Sequence, residues 1–498
     1  MRHRARRAET PSTSATPSPA RLAAPAATSI ASVPPWLVAT FVLAARVVYA
    51  LSTRYAIDDA FITARYGRNL ARGLGFAFNE GASSYGFTSP FWVVVAALGT
   101  PFGAPQIWLG SIAIAFDVAT VYLAARAVPS RNGRLALGAL LAAWPVLNGA
   151  AAGGMEAPVL SFLAILWWTS ARAGRLPTLA AALAPLVRPE GWFLTVAHLV
   201  RERRPAALLA LLPGLAWFGA AWTLFGSPFP LSAQAKVLLQ GGPNPDNAVM
   251  WLYHLAQFPL FQFRPLKTSL VVSSISYFLV ALALSRGGRG WGTLLLGAWF
   301  VFLVGTGAPV FEWYLAVPSL LLIVSACRAD ALERWTAGAL ALVAASGFLY
   351  VWAIQDGIAQ QRLLTATWGR AAEFARTVPG ARSVLAEAVG VLGWRYEGTV
   401  YDEVGIVTPQ LLPYRKDGDG WYYRAVRELE PDLLIIRPWY LYNNQPIAGA
   451  AKPFASAEQF DELGRDYAEL AQFSDSSIYA TQKVNSVVVI GRQRLNAR

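Results

Sequence analysis

Apolar runs close to the length of a membrane helix recur along the chain from Val33 to about Trp352. A helix needs about 20 such residues to cross the hydrocarbon core of a bilayer. The pattern predicts a polytopic α-helical membrane protein with about 9–11 membrane helices and additional re-entrant or juxtamembrane helices. Short arginine-rich loops separate the runs, at residues 126–134, 170–175, 201–204, 285–290 and 327–334.

These loops also predict the orientation of the spans, because short cytoplasmic loops carry an excess of Lys and Arg. The first span, about 34–53, then runs outward, and the segment that begins at residue 57 emerges on the outer face. Residues 89–102 are expected to form a re-entrant or surface helix. The alternative is that they cross the membrane and that the basic loop 126–134 breaks the rule. Further spans are expected at residues 104–125, 135–148, 158–169, 206–224, 268–284, 291–306, 313–326 and 335–353.

The stretch between the basic loops at 170–175 and 201–204 is too short for two full spans. It has only about 25 residues, whereas two helices need about 40. We therefore expect a broken hairpin with VRPEG (187–191) at its tip, because proline ends a helix and glycine turns the chain. Irregular backbone at membrane depth must line a cavity or be buried in protein.

Three segments follow from the composition along the chain. Residues 1–32 are basic and then rich in Ser, Thr, Pro and Ala, which predicts a disordered cytoplasmic tail. Residues 33–354 form the membrane domain. Residues 355–498 are expected to form a small extracytoplasmic α/β domain. Its predicted strands lie in the β-rich runs 383–392, 432–438 and 486–494, and its predicted helices lie around 368–377 and 456–470.

The overall composition agrees with a membrane protein. Of its 498 residues 55% are hydrophobic and 14% are charged, against about 25% charged residues in soluble domains. The arginine-rich loops account for the net charge of +13, so we do not expect nucleic acid as a partner. The single cysteine excludes an intrachain disulfide, and the three widely spaced histidines make a histidine-based zinc centre an unlikely assignment.

Charged residues converge on the predicted outer face. Because charge at membrane depth is costly, such residues mark a functional site. A carboxylate can accept the proton of an attacking hydroxyl, and Arg or Lys can bind a phosphate leaving group. The candidates are Asp58, Asp59, Arg65, Arg68 and Tyr85 in the first loop, Glu156 in GGMEAP, Arg188 and Glu190 at the hairpin tip, Lys236, and Glu312.

Six of these candidates also have a structural interpretation. Asp58 could cap the helix that begins there, with Asp59 favoured by the helix N-terminus. Arg65 and Arg68 could contact lipid headgroups. Arg188 and Glu190 could form a buried ion pair that holds the hairpin. The residues alone leave these alternatives open.

Five motifs resemble those of GT-C-type membrane glycosyltransferases. DDAFITARYGRNLARGLGFAFNEG, followed by YGFTSPFW (85–92), resembles the first-loop signature of that superfamily. GGMEAP (153–158) is similar to its SGLETP-like segment, and LVRPEG (186–191) to its TRPEG. PFPLSAQAKV (228–237) is similar to LPNTFYAK, and GVLGWRYEGTVYDEVGIVTPQL (390–411) to a motif of the C-terminal domain. Among known members, the chain most resembles mycobacterial-type terminal arabinofuranosyltransferases and their uncharacterised bacterial cousins.

The resemblance implies a GT-C-like fold and transfer of a sugar from a polyprenyl-phosphate donor to a glycan or lipid acceptor. Carried over, the catalytic first-loop acid is Asp58 or Asp59, and either would hold a divalent metal if one is used. Arg188 and Lys236, with Arg65, would bind the donor phosphate. The other five candidates would support the site or bind substrate. Ser232, Gln234 and Met155 depart from the motifs, which leaves the donor sugar open, arabinofuranose being one candidate.

The expected setting is the bacterial inner membrane, with the active site and the C-terminal domain on the extracytoplasmic side. The expected partners are the lipid-linked donor, the acceptor and the bilayer. A transporter or flippase of a lipid-linked sugar is the alternative from another class, and a non-catalytic scaffold is a third. A transporter predicts functional charges that are reachable from both sides of the membrane.

Overall fold

The computed structural model describes residues 32–172, 174–240, 290–306, 311–328, 336–445, 451–475 and 486–493. The predicted span 268–284 and nearly all of the predicted tail 1–32 lie outside the described residues. The side chains of Lys236 and Glu312 also lie outside the description, although their backbones belong to helices.

Four helices of the described part are long and apolar enough to cross a membrane: Pro35–Thr53, Pro105–Ala127, Pro205–Phe225 and Leu340–Thr377. A bent pair of helices, Arg131–Ala143 and Pro145–Ala152, would make a fifth span. Four shorter apolar helices accompany them, at Pro90–Phe102, Ala157–Thr169, Arg175–Val187 and Trp313–Cys327. The chain is therefore a mostly helical, multi-pass membrane protein, and the total of about 9–11 spans stays a prediction.

The span expected at 135–148 corresponds to this bent pair of helices. The two helices meet at 58° around Trp144. Pro145 has no N–H to continue the hydrogen-bond ladder and clashes with the preceding turn, so the helix breaks there. The break frees backbone carbonyl groups that must be satisfied inside the protein.

Arg46 of the first helix supplies those hydrogen bonds. Its Nη2 donates to the carbonyl of Leu141 at 2.9 Å and its Nη1 to the side-chain oxygen of Asn148 at 2.7 Å. Its Nε pairs with the carboxylate of Asp117 at 2.9 Å. Arg46 is fully buried. The charge is thus paired and hydrogen-bonded, which membrane burial requires.

The broken hairpin has the predicted tip. One helix ends at Val187 and the next begins at Gly191, leaving residues 188–190 between them. A Cβ at Gly191 would lie 2.1 Å from the carbonyl oxygen of Ala184, so only glycine allows the two arms to approach this closely. The tip brings Arg188 and Glu190 into the protein interior.

The first loop begins with the helix Asp58–Ala71 and continues into a small antiparallel hairpin of β1 (Ala77–Asn79) and β2 (Ala82–Ser83). The two acids of the first helical turn lie beside the helix N-terminus, where negative charge is favoured. The remaining helices of this part of the chain are Gly191–Glu202, Leu231–Gln240 and Trp291–Thr306.

The C-terminal region is an α/β domain, as predicted. Its sheet has the order β4-β3-β5-β7-β6, in which β3 is parallel to both β4 and β5, and β7 is antiparallel to β5 and β6. The strands are β3 (Ser383–Ala386), β4 (Thr399–Asp402), β5 (Leu433–Ile436), β6 (Tyr467–Ser474) and β7 (Ser486–Arg492). The long helix Thr336–Leu363 precedes this domain, whose own helices are Arg370–Thr377, Val389–Arg395, Leu411–Asp417, Trp421–Leu429, Pro438–Asn443 and Ala457–Asp466.

Two boundaries in this domain differ from the sequence predictions. The β-rich run 383–392 is a strand only to Ala386, and a short helix begins at Val389. The helix expected around 456–470 ends at Asp466, because residues 467–474 pair with β7. Strand pairing with β7, the next described strand along the chain, outweighs local helix propensity in this second case.

Candidate active site

A cavity of about 410 Å³ lies where the first loop, the hairpin tip and the C-terminal domain meet. The helix Asp58–Ala71 contributes Asp58 and Asp59, and the GGMEAP segment contributes Glu156. Arg188 comes from the hairpin tip, and Glu387 comes from the end of β3. The structure thus brings together, in one cavity, both first-loop acids and two other residues that the sequence predicts.

Asp58 is held by the C-terminal domain. Its two carboxylate oxygens accept the backbone N–H groups of Gly390, at 2.9 Å, and Val391, at 2.8 Å. Removal from water raises the pKa of Asp58 to about 7, although these two N–H groups oppose the rise. The negative charges of Asp59 and Glu387 raise the pKa further. A carboxylate that titrates near neutral pH in a cavity has the property expected of a general base.

Arg188 is the single cation among the described side chains that line the cavity. Its Nε and Nη2 form a fork to the carboxylate of Glu190, at 3.1 and 2.9 Å, and its Nη1 donates to Glu156 at 2.5 Å. Burial lowers the pKa of Arg188, but the two carboxylates outweigh burial and hold the pKa above its ordinary value. Its guanidinium also lies 5.0 Å from the ring of Tyr314. These bonds use three of its five N–H groups.

Arg65 has a different position from the one predicted. Its guanidinium donates to backbone carbonyls of Phe78, Gly393, Tyr396 and Gly398 at 2.7–3.0 Å, and to the side chain of Asn79 at 3.1 Å. All five N–H groups are therefore used, and the residue does not line the cavity. The phosphate contact expected of Arg65 does not fit this arrangement. Arg65 instead joins the first loop to the C-terminal domain.

A reciprocal pair reinforces this junction. The side-chain amide of Asn79 donates to the carbonyl of Val400 at 2.8 Å, and the N–H of Val400 donates to Asn79 at 3.0 Å. Arg68 adds a cation–π contact to this junction, with its guanidinium 4.7 Å from the centre of the Trp394 ring. Arg68 too lies outside the cavity lining.

The other predicted residues have mixed outcomes. The hydroxyl of Tyr85 accepts a hydrogen bond from Trp217 at 2.7 Å, within an aromatic cluster beside the cavity. Glu190 does not line the cavity and acts on it through Arg188. Lys236 and Glu312 stay predictions, because their side chains lie outside the description, although the neighbouring Ser232 and Phe311 line the cavity.

Sequence reasoning missed Glu387, which follows a strand of the C-terminal sheet. The carboxyl ends of parallel strands are the usual position of ligand sites in α/β domains. Read with that rule, SVLAE (383–387) and LLIIR (433–437) would have indicated Glu387 and Arg437. Thr88 and Tyr314, two further lining residues, carried no signal of their own.

The described part of the chain has no cluster of three or more His, Cys, Asp or Glu side chains that could hold a metal ion. Asp58 and Asp59 therefore have no third ligand of these types there. The divalent metal stays a sequence prediction.

The chain was compared with known families, curated proteins and solved structures. A family described as a domain of unknown function (DUF8728) matches residues 354–489. No curated protein matches the chain significantly. Among solved structures, ArnT from Cupriavidus metallidurans bound to undecaprenyl phosphate is similar over 92% of this chain and 98% of its own, with 14% identity and a TM-score of 0.53. The chain thus shares the fold of ArnT over nearly the whole length of both proteins.

A second solved structure is more distant. The arabinofuranosyltransferase AftD from Mycobacteria matches over 93% of this chain with 15% identity, and the match spans 40% of that protein. Its TM-score of 0.42 is too low to support any inference about this chain.

Proposed function

We propose that this chain is a membrane glycosyltransferase, which transfers a sugar from a polyprenyl-phosphate donor to a hydroxyl group of a glycan or lipid acceptor. One observation carries the proposal: a single cavity holds the first-loop acids Asp58 and Asp59 together with the buried Arg188. Proton removal from a hydroxyl and stabilisation of a phosphate leaving group need these two kinds of side chain. The fold shared with ArnT, whose structure contains undecaprenyl phosphate, supports it.

In the proposed reaction, an acceptor hydroxyl gives its proton to Asp58, or alternatively to Asp59. The acceptor oxygen then attacks the anomeric carbon of the donor sugar. The bond between that carbon and the phosphate oxygen breaks, and polyprenyl phosphate leaves with the electron pair. A single displacement without a covalent intermediate inverts the anomeric centre. The pKa of Asp58, raised to about 7, favours this residue as the base. Near neutral pH the carboxyl group is partly ionised, and the ionised form can accept the proton of the acceptor hydroxyl.

Arg188 is suited to hold the donor phosphate. Glu190 and Glu156 fix the plane of its guanidinium, and two N–H groups remain for a phosphate oxygen. Lys236 would add a point charge. The finer parts of the proposal are an arabinofuranose donor, an acceptor in the cell envelope, and an active site on the outer face of the bacterial inner membrane.

The test is a transfer assay with purified protein, a panel of polyprenyl-phosphate sugars including the arabinofuranose donor, and glycan acceptors. Mass spectrometry should detect a product longer by one sugar. Asp58→Asn and Asp59→Asn, both folded, should lower the rate, one of them by about 10²-fold or more. Normal turnover in both variants would contradict the mechanism. Movement of the lipid-linked sugar across liposomes without product would favour a transporter.

A further inference from the structure

Glu387 and Arg437 lie at the same edge of the C-terminal sheet. Glu387 follows β3 directly and Arg437 follows β5, and these neighbouring strands are parallel. The chain runs from β3 to β4 on one side of β3, and then crosses to β5 on the other side. The gap between β3 and β5 is therefore a topological switch point, the place where open α/β sheets bind ligands.

The two side chains form a rigid pair there. Nε and Nη2 of Arg437 both donate to the carboxylate of Glu387, the second bond measuring 3.0 Å. The guanidinium carbon of Arg437 lies 5.2 Å from the ring of Trp368 and 5.0 Å from that of Trp439. The side chain of Glu387 keeps 23% exposure, and it lines the cavity of the proposed active site. The carboxylate is thus both fixed and open to a ligand.

A carboxylate in this position is suited to bind hydroxyl groups. Each carboxylate oxygen can accept two hydrogen bonds, and Arg437 donates one to each oxygen, so each oxygen can still accept one more. A second polar group is available in the same cavity. Ser232 is only 6% exposed, and its hydroxyl has no hydrogen-bond partner among the described residues. A buried hydroxyl of this kind is costly unless a ligand pairs with it.

The charge of the cavity restricts the ligand further. Four carboxylates line it, those of Asp58, Asp59, Glu156 and Glu387, whereas Arg188 is the single cation among the described lining residues. Arg188 is already paired with two carboxylates. The donor phosphate already brings one negative charge, so a second anion beside Glu387 would meet uncompensated repulsion. A neutral ligand with several hydroxyl groups fits the site.

We propose that Glu387, positioned by Arg437, binds the hydroxyl groups of a neutral sugar acceptor and selects against anionic acceptors. The proposal rests on the glycosyltransferase function proposed above and adds the acceptor class to it. Glu387 touches the acceptor, whereas Arg437 acts through Glu387. The C-terminal domain thereby contributes a binding group to a cavity whose proposed reacting residues belong to the membrane part.

The experiment measures acceptor use and acceptor binding in the full-length protein. Glu387→Gln keeps the size and removes the charge, so the KM for a neutral alkyl glycoside should rise about 10- to 100-fold, with the donor KM unchanged. Arg437→Lys keeps the charge but loses the fork, and should raise the same KM. Glu458→Gln, an exposed carboxylate of the same domain, is the matched control and should leave both constants unchanged.

Acceptor class is tested with a phosphorylated form of the same glycoside. The wild type should use it poorly, and Glu387→Gln should narrow the difference between the two acceptors. A wild type that prefers the phosphorylated acceptor, or a folded Glu387→Gln with an unchanged KM for the neutral one, overturns the proposal. Glu387→Asp, which withdraws the carboxylate by one methylene, takes its place if Glu387→Gln does not fold.

Direct binding of the alkyl glycoside, measured by calorimetry without donor, separates this proposal from the broader one. If the protein forms no product from any donor but Glu387→Gln still weakens glycoside binding, the transferase function is wrong and the sugar site is retained. Product formation with glycoside binding unaffected by Glu387→Gln would retain the function and remove the role of Glu387.

Discussion

The backbone N–H of Gly390 donates a hydrogen bond of 2.9 Å to the carboxylate of Asp58, 332 residues earlier in the chain. A Cβ at position 390 would lie 1.9 Å from the carbonyl oxygen of Asp58, so the contact requires glycine. The candidate base is therefore oriented by a domain that is distant in sequence. A catalytic group that is displaced lowers the rate even when the group itself is retained.

Gly390→Ala should reveal this dependence. The added methyl group forces the short helix away from Asp58, at a cost of about 1–3 kcal/mol in stability, as for overpacking. Transfer activity should fall although every proposed reacting residue is retained. Activity is measured beside the thermal unfolding temperature and amide exchange of residues 389–395. The control is Gly464→Ala, in open space on a helix of the same domain, which should be neutral or stabilising. Full activity in Gly390→Ala would contradict the orienting role.

The pH dependence of the rate should report Asp58. A base must be ionised, so with a pKa of about 7 the rate should fall about tenfold per pH unit below pH 7 and level off above it. The measurement is kcat/KM from pH 4 to 9 for the wild type and for Asp58→Asn. In the variant, the residual rate should lose this acid limb. A limb centred near pH 4, or one that persists in Asp58→Asn, would assign the base elsewhere.

Arg188 should respond differently to two substitutions. Arg188→Met leaves the buried carboxylates of Glu156 and Glu190 without a partner, which should cost about 3–5 kcal/mol and prevent folding. Arg188→Lys keeps the charge and loses the planar fork, so a folded variant should bind donor more weakly. Donor affinity and thermal stability are measured on the same preparations. A folded Arg188→Lys with normal donor affinity would restrict Arg188 to a structural role.

Arg46 should act on stability without acting on substrate. Arg46→Met leaves the buried carboxylate of Asp117 without its ion-pair partner and removes the hydrogen bond to the carbonyl of Leu141 at the Pro145 break, with an expected loss of about 3–5 kcal/mol. Replacing both partners, as Arg46→Met with Asp117→Leu, should recover part of the loss because no charge is left unpaired. Thermal inactivation in detergent measures both, and the donor KM is the control. A double variant less stable than Arg46→Met would refute the pairing as the cause.

Local sequence was sufficient for some of these features. The hairpin tip follows from Pro189 and Gly191, whose backbone preferences act over one or two residues. The acids at 58 and 59 stand out because charge next to an apolar run is rare. The short strands β3 and β5 appear as β-rich runs because their side chains are buried on both faces of the sheet.

Other features depend on contacts that no local pattern contains. The sequence predicts that Arg65 binds phosphate, because the planar guanidinium group of an arginine is suited to phosphate. Its true partners include Gly393 and Gly398, more than 320 residues later. The pairing of Glu387 with Arg437 depends on the order of strands in the sheet, which the sequence of either strand does not reveal. Pro145, by contrast, was a readable signal for a helix break.

The contacts of Arg65 and Asn79 with residues 393–400 restrict how the C-terminal domain can be exchanged between related proteins. These hydrogen bonds end on backbone carbonyl groups of the C-terminal domain. They therefore depend on the backbone conformation of residues 393–400 more than on the side chains there. A chimera that grafts the C-terminal domain of a relative onto this membrane body should work only if residues 393–400 of the graft keep this backbone path, or if residues 58–79 of the relative are transferred with it. The two segments should behave as one transferable cassette, split in the gene by more than 300 codons.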